Sequence, residues 1–400
     1  MYNLRGFVAV VLVVVAASAV ACPNDVAAEA QYFPVPSVST SKNDGNDAGL
    51  IVPILITDPD GELRYIVAPM FINNSIVGNK GIINVFRYEP GGRQMRFIGS
   101  FAEKIERRVL FDYTDPAFGG GRYFLNFGGT FFKNATARFF GLGDSTNEDE
   151  QTNYTAREIR GNWKFGIYAN EVTQIAIGQR IRDVQLQQGA TDLPFTGTVF
   201  PTVPGVQGHT TIVGHRASFH YDTRNNLVTP TDGMAVNAYA ELNQNTSNSQ
   251  HPVYSRYELE MKKLLPSESK RAILVVRADL QATIGDQVPF FEQSSLGGQN
   301  NLRGYGVDRY IDKNLVAFSV EERLHVARTR IAGVMADFEI APFVDTGQVF
   351  NSWKDVSFTN YRVTPGLGFR GIIRPNVVGR VDYGFSKEGG AVFAGLDFPY

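Results

Sequence analysis

Residues Ser294–Leu324 read SSLGGQNNLRGYGVDRYIDKNLVAFSVEERL, a glycine-rich loop that runs directly into an alternating apolar and polar segment. Arg303 precedes Gly304-Tyr305-Gly306 in the loop, and glycine permits sharp folding and close approach of the backbone. Glu321 lies on the polar face of the segment that follows. The stretch therefore predicts a loop that folds back on a sheet and brings a cation towards an acid.

A second acid, Asp345, lies one strand further on, in the stretch FVDTGQVF (Phe343–Phe350). A poorly solvated guanidinium is costly without a partner, and its planar fork can bind two carboxylates. We therefore predict that Glu321 and Asp345 hold Arg303 and pin the loop inside the fold. The alternative is that the three residues are unrelated polar groups in a wet interior.

The flanking segments alternate apolar and polar residues, which is the pattern of β-strands. In 254–262, for example, one face carries Tyr257, Leu259 and Met261, and the other carries Arg256, Glu258, Glu260 and Lys262. The segments are long for a soluble sandwich, and their polar faces mix arginine with acid, as a water-filled lumen would. The sequence predicts an all-β fold, a transmembrane antiparallel β-barrel. A soluble periplasmic β-sandwich is the alternative.

The pattern gives about sixteen segments, an even number that lets both chain ends lie on the periplasmic side. The segment 93–112 is too long for one regular strand, and we expect it to bend or to extend beyond the membrane. The predicted strands are 48–57, 62–72, 81–89, 93–112, 121–133, 154–166, 170–183, 209–222, 233–244, 252–264, 270–283, 313–327, 330–347, 361–373, 376–385 and 391–400.

The connections predict the orientation. With residue 48 on the periplasmic side, the periplasmic turns (among them 73–80, 113–120 and 223–232) are mostly short. The outer connections 134–153, 184–208 and 284–312 are long, which is the asymmetry expected of outer-membrane barrels. The loop that carries Arg303 is the sixth outer loop in this count, and we expect it to fold into the lumen.

The beginning of the chain has the form of a secretory signal. Arg5 precedes an apolar run from Phe7 to Val20, and cleavage is predicted after Ala21 or after Ala30. A retained N-terminal anchor is the alternative. Cys22 is the only cysteine, which excludes an intrachain disulfide; its position invites lipidation, but the leucine expected three residues earlier is missing. The predicted parts are a signal peptide (1–21), a short periplasmic lead-in (22–46) and an outer-membrane barrel domain (47–400).

Composition and motifs argue against several other functions. The formal net charge is −2 and no basic tract is present, so no nucleic-acid partner is predicted. The sequence has neither a GxSxG elbow nor a P-loop, and His209, His215 and His220 lack metal-site spacing. Neither enzymatic activity nor a cofactor or metal is predicted.

The second half of the chain resembles the BamA/TamA superfamily of outer-membrane β-barrel proteins, the bacterial surface antigen type. Leu302-Arg303-Gly304-Tyr305-Gly306 is similar to the lumen-loop motif of that family, and Ser319-Val320-Glu321 and Phe343-Val344-Asp345 are similar to the strand motifs whose acids meet its arginine. Tyr221-Asp222-Thr223-Arg224, with Pro230 and Gly233, resembles the periplasmic turn between the eighth and ninth strands. The alternation that ends in Leu396, Phe398 and Tyr400 resembles the terminal strand signal read by the barrel-assembly machinery.

The resemblance implies a role in outer-membrane protein assembly or translocation through a weak seam between the first and last strands. The edges would be about 48–57 and 391–400, weakened by Gly49 and by Gly389-Gly390. Family members carry periplasmic POTRA domains, for which this sequence leaves no room, so we expect a barrel-only member. The expected partners are outer-membrane lipid, client outer-membrane or secreted proteins and, during biogenesis, the barrel-assembly machinery. A passive channel or structural barrel is the alternative.

Overall fold

The structure, a computed structural model, describes residues 29–32, 34–41, 43–331, 334–373, 377–395 and 398–399. The predicted signal peptide, Cys22, Leu396 and Tyr400 lie outside these residues. The helices in the described part are single turns, none of them long and apolar enough to cross a membrane. They are the α-helical turns Phe118–Gly121 (α1) and Thr196–Val199 (α2) and the 3-10 turns Pro90–Gly92, Glu148–Glu150, Phe290–Glu292, Trp353–Asp355 and Phe358–Asn360.

The fold is otherwise made of strands. In chain order they are β1 (Glu29–Tyr32), β2 (Val35–Ser41), β3 (Gly45–Ile51), β4 (Ile54–Thr57), β5 (Leu63–Asn74), β6 (Gly78–Tyr88), β7 (Gln94–Ala102), β8 (Arg107–Ala117), β9 (Tyr123–Phe139), β10 (Thr152–Asn170), β11 (Thr173–Gln188), β12 (His209–Asp222), β13 (Gly233–Asn245), β14 (Val253–Pro266), β15 (Ala272–Ile284), β16 (Ser294–Leu296), β17 (Tyr310–Asp312), β18 (Asn314–Ile331), β19 (Val334–Phe350), β20 (Arg362–Ile373), β21 (Val377–Ser386) and β22 (Gly389–Gly395).

Within the described residues, twenty of these strands form one antiparallel sheet, in which each strand from β5 onwards pairs with its neighbours in sequence. The exceptions are β16 and β17, which pair only with each other in the loop between β15 and β18. At the start, β3 and β4 lie end to end along β5, and β2 and β1 lie along them. The strands thus occupy eighteen positions, and β2 lies beside β22, so the sheet curls into a barrel.

The two faces of the sheet reverse the usual placement of apolar and charged residues. On β18, Phe318 is 41% exposed and Val320 is 43% exposed, whereas Glu321 and Arg323 on the opposite face are buried. The hydrocarbon core of a membrane has no hydrogen-bonding groups. A sheet that crosses it must therefore pair its backbone N–H and C=O groups internally and present apolar side chains outwards. The fold is therefore the predicted all-β transmembrane barrel, with its ionic face inside.

The beginning of the sheet differs from the prediction. Part of the expected lead-in is strand, because β1, β2 and the first residues of β3 belong to the barrel sheet. The first edge is consequently β1–β2 and not 48–57, and it is β2 that lies beside β22. The segment 35–41, VPSVSTS, contains proline and serine, and its apolar and polar residues alternate only weakly. Its sequence therefore predicts the lead-in and not a strand.

The predicted strand 93–112 is in fact a hairpin of β7 and β8 with its turn at 103–106. This turn contains no glycine, proline or asparagine, and Ile105 itself adopts a φ of 45°, a conformation that β-branched residues rarely take. No turn residue therefore marks the position. With this hairpin and β1–β2 added, eighteen sheet positions replace the expected sixteen.

The added hairpin also corrects the loop assignment at the start of the chain. The connection 75–77, predicted to be periplasmic, lies at the same end of the sheet as the long loops, as does the turn 103–106. From β8 onwards the predicted and observed ends agree. The turn 223–232 lies at the short-turn end but joins the tenth and eleventh positions, and the loop 285–313 is the seventh connection at the long-loop end.

We predict that Ile105→Asn stabilises the barrel, because asparagine tolerates the left-handed conformation that costs isoleucine about 1 kcal/mol. The measurement is the temperature at which the folded, fast-migrating band disappears on electrophoresis in mild detergent. Lys104→Asn is the matched control, since it changes the same turn at a residue without a positive φ. An equal rise for both variants, or a fall for Ile105→Asn, would contradict the explanation.

Candidate functional site

The loop between β15 and β18 folds into the barrel lumen. The β16–β17 ribbon forms its stem, with Leu296 opposite Tyr310. Leu296, Leu302, Tyr305 and Tyr310 are buried together with Leu315 and Val349 of the wall, and the rings of Tyr305 and Tyr310 lie 5.5 Å apart, edge to face. Burial of these apolar side chains stabilises the docked loop and places residue 303 against the wall.

Arg303 is fully buried and bound by two wall carboxylates. Its Nε and Nη2 donate to Asp345 Oδ2 and Oδ1 at 2.8 and 2.9 Å, a two-pronged contact. Its Nη1 donates to Glu321 Oε2 at 2.6 Å, and its backbone N–H donates to Asp345 Oδ2 at 3.1 Å. The guanidinium also stacks on the Phe343 ring, 3.4 Å from its centroid. The structure thus places the three residues of the predicted fork in direct contact.

The fork is part of a larger buried ionic network. Arg370 Nη2 lies 3.0 Å from Glu321 Oε2 and 2.7 Å from Asp382 Oδ1, so it links the acids of two strands. Arg323 contacts Glu321 Oε1 at 3.0 Å, and Arg380 contacts Asp382 Oδ2 at 2.7 Å. We use the name arginine clamp for the following seven residues: Arg303, Glu321, Arg323, Asp345, Arg370, Arg380 and Asp382. All seven side chains are at most 2% exposed.

Part of this clamp was not predicted from the sequence. Asp382 also lies 3.5 Å from Arg303 Nη1, and neither it nor Arg370 was assigned to the site. A signal was present, because Arg380 and Asp382 alternate on the inner face of β21 just as Glu321 and Arg323 do on β18. Opposite charges two residues apart on an inward face indicate an ionic network, but not which loop residue completes it.

Two glycines allow the loop to touch the wall. A Cβ on Gly304 would lie 2.7 Å from the carbonyl oxygen of Phe385, and one on Gly384 would lie 2.3 Å from that of Arg303. Either distance is too short for any side chain. The loop backbone therefore lies directly on β21, which brings the arginine within reach of Asp382.

The other predicted site residues lie elsewhere. In the turn 223–232, Arg224 pairs with Asp222 at 2.6 Å, and Pro230 is buried. Gly233 adopts a φ of 108°, where a Cβ would collide with the carbonyl oxygen of Thr223. The side-chain hydrogen bonds between Asp222 and Arg224 are local to this turn. Of the terminal signal, Phe398 lies under the Arg323 guanidinium, 3.6 Å from its ring centroid.

A second buried ionic contact, the Glu292 anchor, also holds the loop. Here the loop supplies the acid and the barrel wall supplies the arginines, the reverse of the arginine clamp. Glu292, in the 3-10 turn Phe290–Glu292, is fully buried, and its carboxylate meets Arg180 and Arg182 of β11. Arg182 Nη1 lies 2.7 Å away, Arg256 Nη1 lies 3.6 Å away and Tyr254 Oη donates at 3.0 Å. Burial opposes ionisation of Glu292, but Arg180, Arg182 and Arg256 hold its pKa well below the usual range.

The Glu292 anchor was not foreseen from the sequence. The only local signal for this anchor is that an acid directly follows Phe290 and Phe291 in a loop. Its partners on β11 lie more than a hundred residues away, and those on β14 belong to another strand, so no local pattern relates them to Glu292.

The tip of the loop is tied to both ends of the sheet. The carbonyl oxygen of Val307 accepts a hydrogen bond from Asn43 Nδ2, in the turn between β2 and β3, at 2.8 Å. Arg309 Nη2 lies 2.8 Å from Glu388 Oε1, in the turn between β21 and β22. Arg309 Nη1 also donates to Thr146 Oγ1 at 2.9 Å. The loop therefore joins the first and last hairpins across the seam.

No group of three or more histidine, cysteine or acidic residues in the described ranges has the arrangement of a metal site. The chemistry available at the clamp is ionic binding, and it fixes a loop in place.

Comparison with known proteins gives two kinds of likeness. The sequence profile of the Omp85 superfamily domain matches residues 91–389. The fold is similar to that of BamA from Haemophilus ducreyi lacking POTRA domains 1–3, with a TM-score of 0.57 and 14% identity, covering 90% of this chain and 75% of that chain. It is also similar to CdiB from Acinetobacter baumannii, with a TM-score of 0.50 and 13% identity, covering 91% of this chain and 64% of that chain. No curated protein matches the sequence.

We predict that Arg303→Ala destabilises the barrel by about 3–5 kcal/mol, because it leaves Asp345 and Glu321 buried with fewer partners. Arg303→Lys is expected to recover only part of the loss, since an ammonium cannot make the two-pronged contact. The measurements are the unfolding temperature in detergent and the protease resistance of the loop 285–313. Wild-type values for Arg303→Ala would contradict the role of the clamp.

We predict that Glu292→Gln destabilises the barrel by about 3 kcal/mol, because Arg180 and Arg182 lose a buried counter-charge. Glu268→Gln, in the exposed turn between β14 and β15, is the control and is expected to have no effect. Thermal unfolding of both variants in one detergent provides the comparison. If Glu292→Gln is no less stable than Glu268→Gln, the second anchor contributes nothing.

Proposed function

Because this chain belongs to the Omp85 superfamily, we propose that it acts in a bacterial outer membrane in the assembly or translocation of other proteins. Its partners are then outer-membrane lipid and client polypeptides. The identity to BamA and CdiB is low, so these likenesses show the fold alone. The proposed function is inferred from the geometry of the barrel.

The observation that carries the proposal is the short seam. β22 has 7 residues, whereas β10 has 19, and a pair of strands can form no more ladder hydrogen bonds than its shorter member allows. Gly389 and Gly390 begin β22, and glycine weakens a strand. Because β2 also has 7 residues, opening the sheet between β2 and β22 breaks fewer ladder hydrogen bonds than opening it between two long strands such as β9 and β10.

An opened seam offers backbone hydrogen-bonding partners to a client polypeptide that enters the membrane. The separated edges of β2 and β22 expose rows of backbone N–H and C=O groups, on which an incoming chain can form a strand. Because lipid leaves these groups unsatisfied, pairing with a client is favoured over an open edge.

The lumen loop is placed to control this opening. It holds the turn before β3 through Asn43 and the turn before β22 through Glu388. Separating the two ends at the long-loop side requires at least one of these contacts to break. The clamp meanwhile keeps the body of the loop fixed to β18–β21.

A passive channel is the second candidate, and one observation favours it. Arg96, Arg108 and Lys164 lie on the inner face of β7, β8 and β10 and are exposed, which is typical of a wet lumen. An ion pathway through the barrel would not need the seam to open.

To test the proposal, the purified chain is reconstituted in liposomes, and the folding of an unfolded client β-barrel from dilute urea is followed by electrophoresis. We expect faster client folding than in empty liposomes or in liposomes with the heat-unfolded chain. Deletion of the gene is expected to cause unassembled barrels to accumulate. Steady conductance in planar bilayers without either effect would overturn the assembly role and support the channel.

A further inference from the structure

A recess of about 320 Å³ opens on the inner face of β10, β11 and β12. Across these strands, Lys164 is in register with Gly178, and Gly178 is in register with Arg216. Gly178 has no side chain, so it leaves a gap between the two cationic residues. The recess is separate from the arginine clamp, which is built from β18–β21.

The lining of the recess is strongly cationic. Its charged side chains are Arg160, Lys164, Arg180, Arg182, Arg216 and a single acid, Glu241. Glu241 contacts Arg180 at 2.8 Å and Arg216 at 2.7 Å. Two acids just beyond the lining, Glu158 and Glu292, pair with the remaining arginines. The lining itself therefore carries five cationic side chains and one acid, and its four arginines have carboxylate partners.

Lys164 is the cation of the lining that makes no ion pair, although the Asp112 carboxylate of β8 is near enough to attract its charge. In the described residues, no carboxylate lies within ion-pair distance of its ammonium, whose nearest aromatic contact is the Phe124 ring, 5.2 Å from the centroid. Its side chain is exposed to the lumen. Lys262, on the inner face of β14, differs in this respect because it lies 3.5 Å from Glu260.

Neutral donors complete the recess. Asn126 and Asn162 flank Lys164 on the lumenal side, with Asn162 Nδ2 3.4 Å from Asn126 Oδ1, and Ser218 lies beyond Arg216. Asn126 also donates to Asp112 Oδ2 at 3.2 Å, so this carboxylate lies at the edge of the recess and offsets part of its positive charge. Guanidinium, ammonium, amide and hydroxyl donors thus converge on one space from four strands, β9 to β12.

We propose that this recess is a binding site for the phosphate group of a small solute that enters the lumen. A phosphate has several acceptor oxygens and can accept from the ammonium of Lys164 and from the Arg216 guanidinium together, whereas a carboxylate has only two oxygens. The excess of positive charge attracts a multiply charged anion in preference to a neutral solute. The inference goes beyond the proposed function and does not depend on it, because an assembly barrel and a passive channel would bind phosphate equally.

The test is isothermal titration calorimetry of the full folded chain in detergent micelles at constant ionic strength, with inorganic phosphate, glycerol 3-phosphate and acetate as separate probes. We expect both phosphates to bind and acetate to bind more weakly. Equal affinity for inorganic phosphate and glycerol 3-phosphate assigns recognition to the phosphate alone, and tighter binding of glycerol 3-phosphate assigns it to a phosphomonoester. Acetate binding as tightly as phosphate would overturn the assignment.

Variants locate the site. Lys164→Gln is expected to weaken phosphate binding about tenfold through the loss of one charge-assisted contact, and Lys164→Arg is expected to preserve it. Lys262→Gln, the paired lysine on the same face of the sheet, should leave binding unchanged. Each variant is first shown to have the heat-modifiable mobility of a folded barrel. Absence of phosphate binding by the folded wild-type chain, or equal loss in Lys164→Gln and Lys262→Gln, would refute the site.

Discussion

The absence of hydrogen-bonding partners for the backbone in lipid governs this structure. Every N–H and C=O at membrane depth must pair within the protein, and a sheet achieves this only when its ends meet. The alternation of Phe318 and Val320 outwards with Glu321 and Arg323 inwards follows from the same condition. Charges that a soluble protein would expose to bulk water are collected in the lumen, where the buried ones pair with one another.

The lumen loop is stabilised by charges of opposite sign at its two anchors. Glu292 is held by arginines of β11 and β14, and Arg303 is held by acids of β18, β19 and β21. A loop with a single kind of charge could bind only one of these walls. Because each anchor buries a charge that is costly without its partners, the loop has one favourable position and little freedom to slide.

The sequence was informative where the physical signal is local. Period-two alternation predicted β5, β6 and the strands of the barrel sheet from β9 onwards, and the Arg303, Glu321 and Asp345 fork was predicted from a cation among glycines and two inward acids. The turn at Ile105 was missed because it contains no turn-forming residue, and β1–β2 was missed because it alternates weakly. Arg370 and Glu292 could not be placed, because their partners depend on the curvature of the sheet and on the path of the loop.

The distribution of the two anchors along the chain has a consequence for biogenesis. The arginines that bind Glu292 precede the loop in sequence, whereas the carboxylates of Glu321, Asp345 and Asp382, which contact Arg303, follow it. The N-terminal wall can therefore capture the loop while the rest of the polypeptide is still unfolded, but the guanidinium of Arg303 gains its two bonded carboxylates only when β18 and β19 have formed. A chain that ended before β18 would retain an unsatisfied cation in its interior, and the third acid, Asp382, is added only with β21.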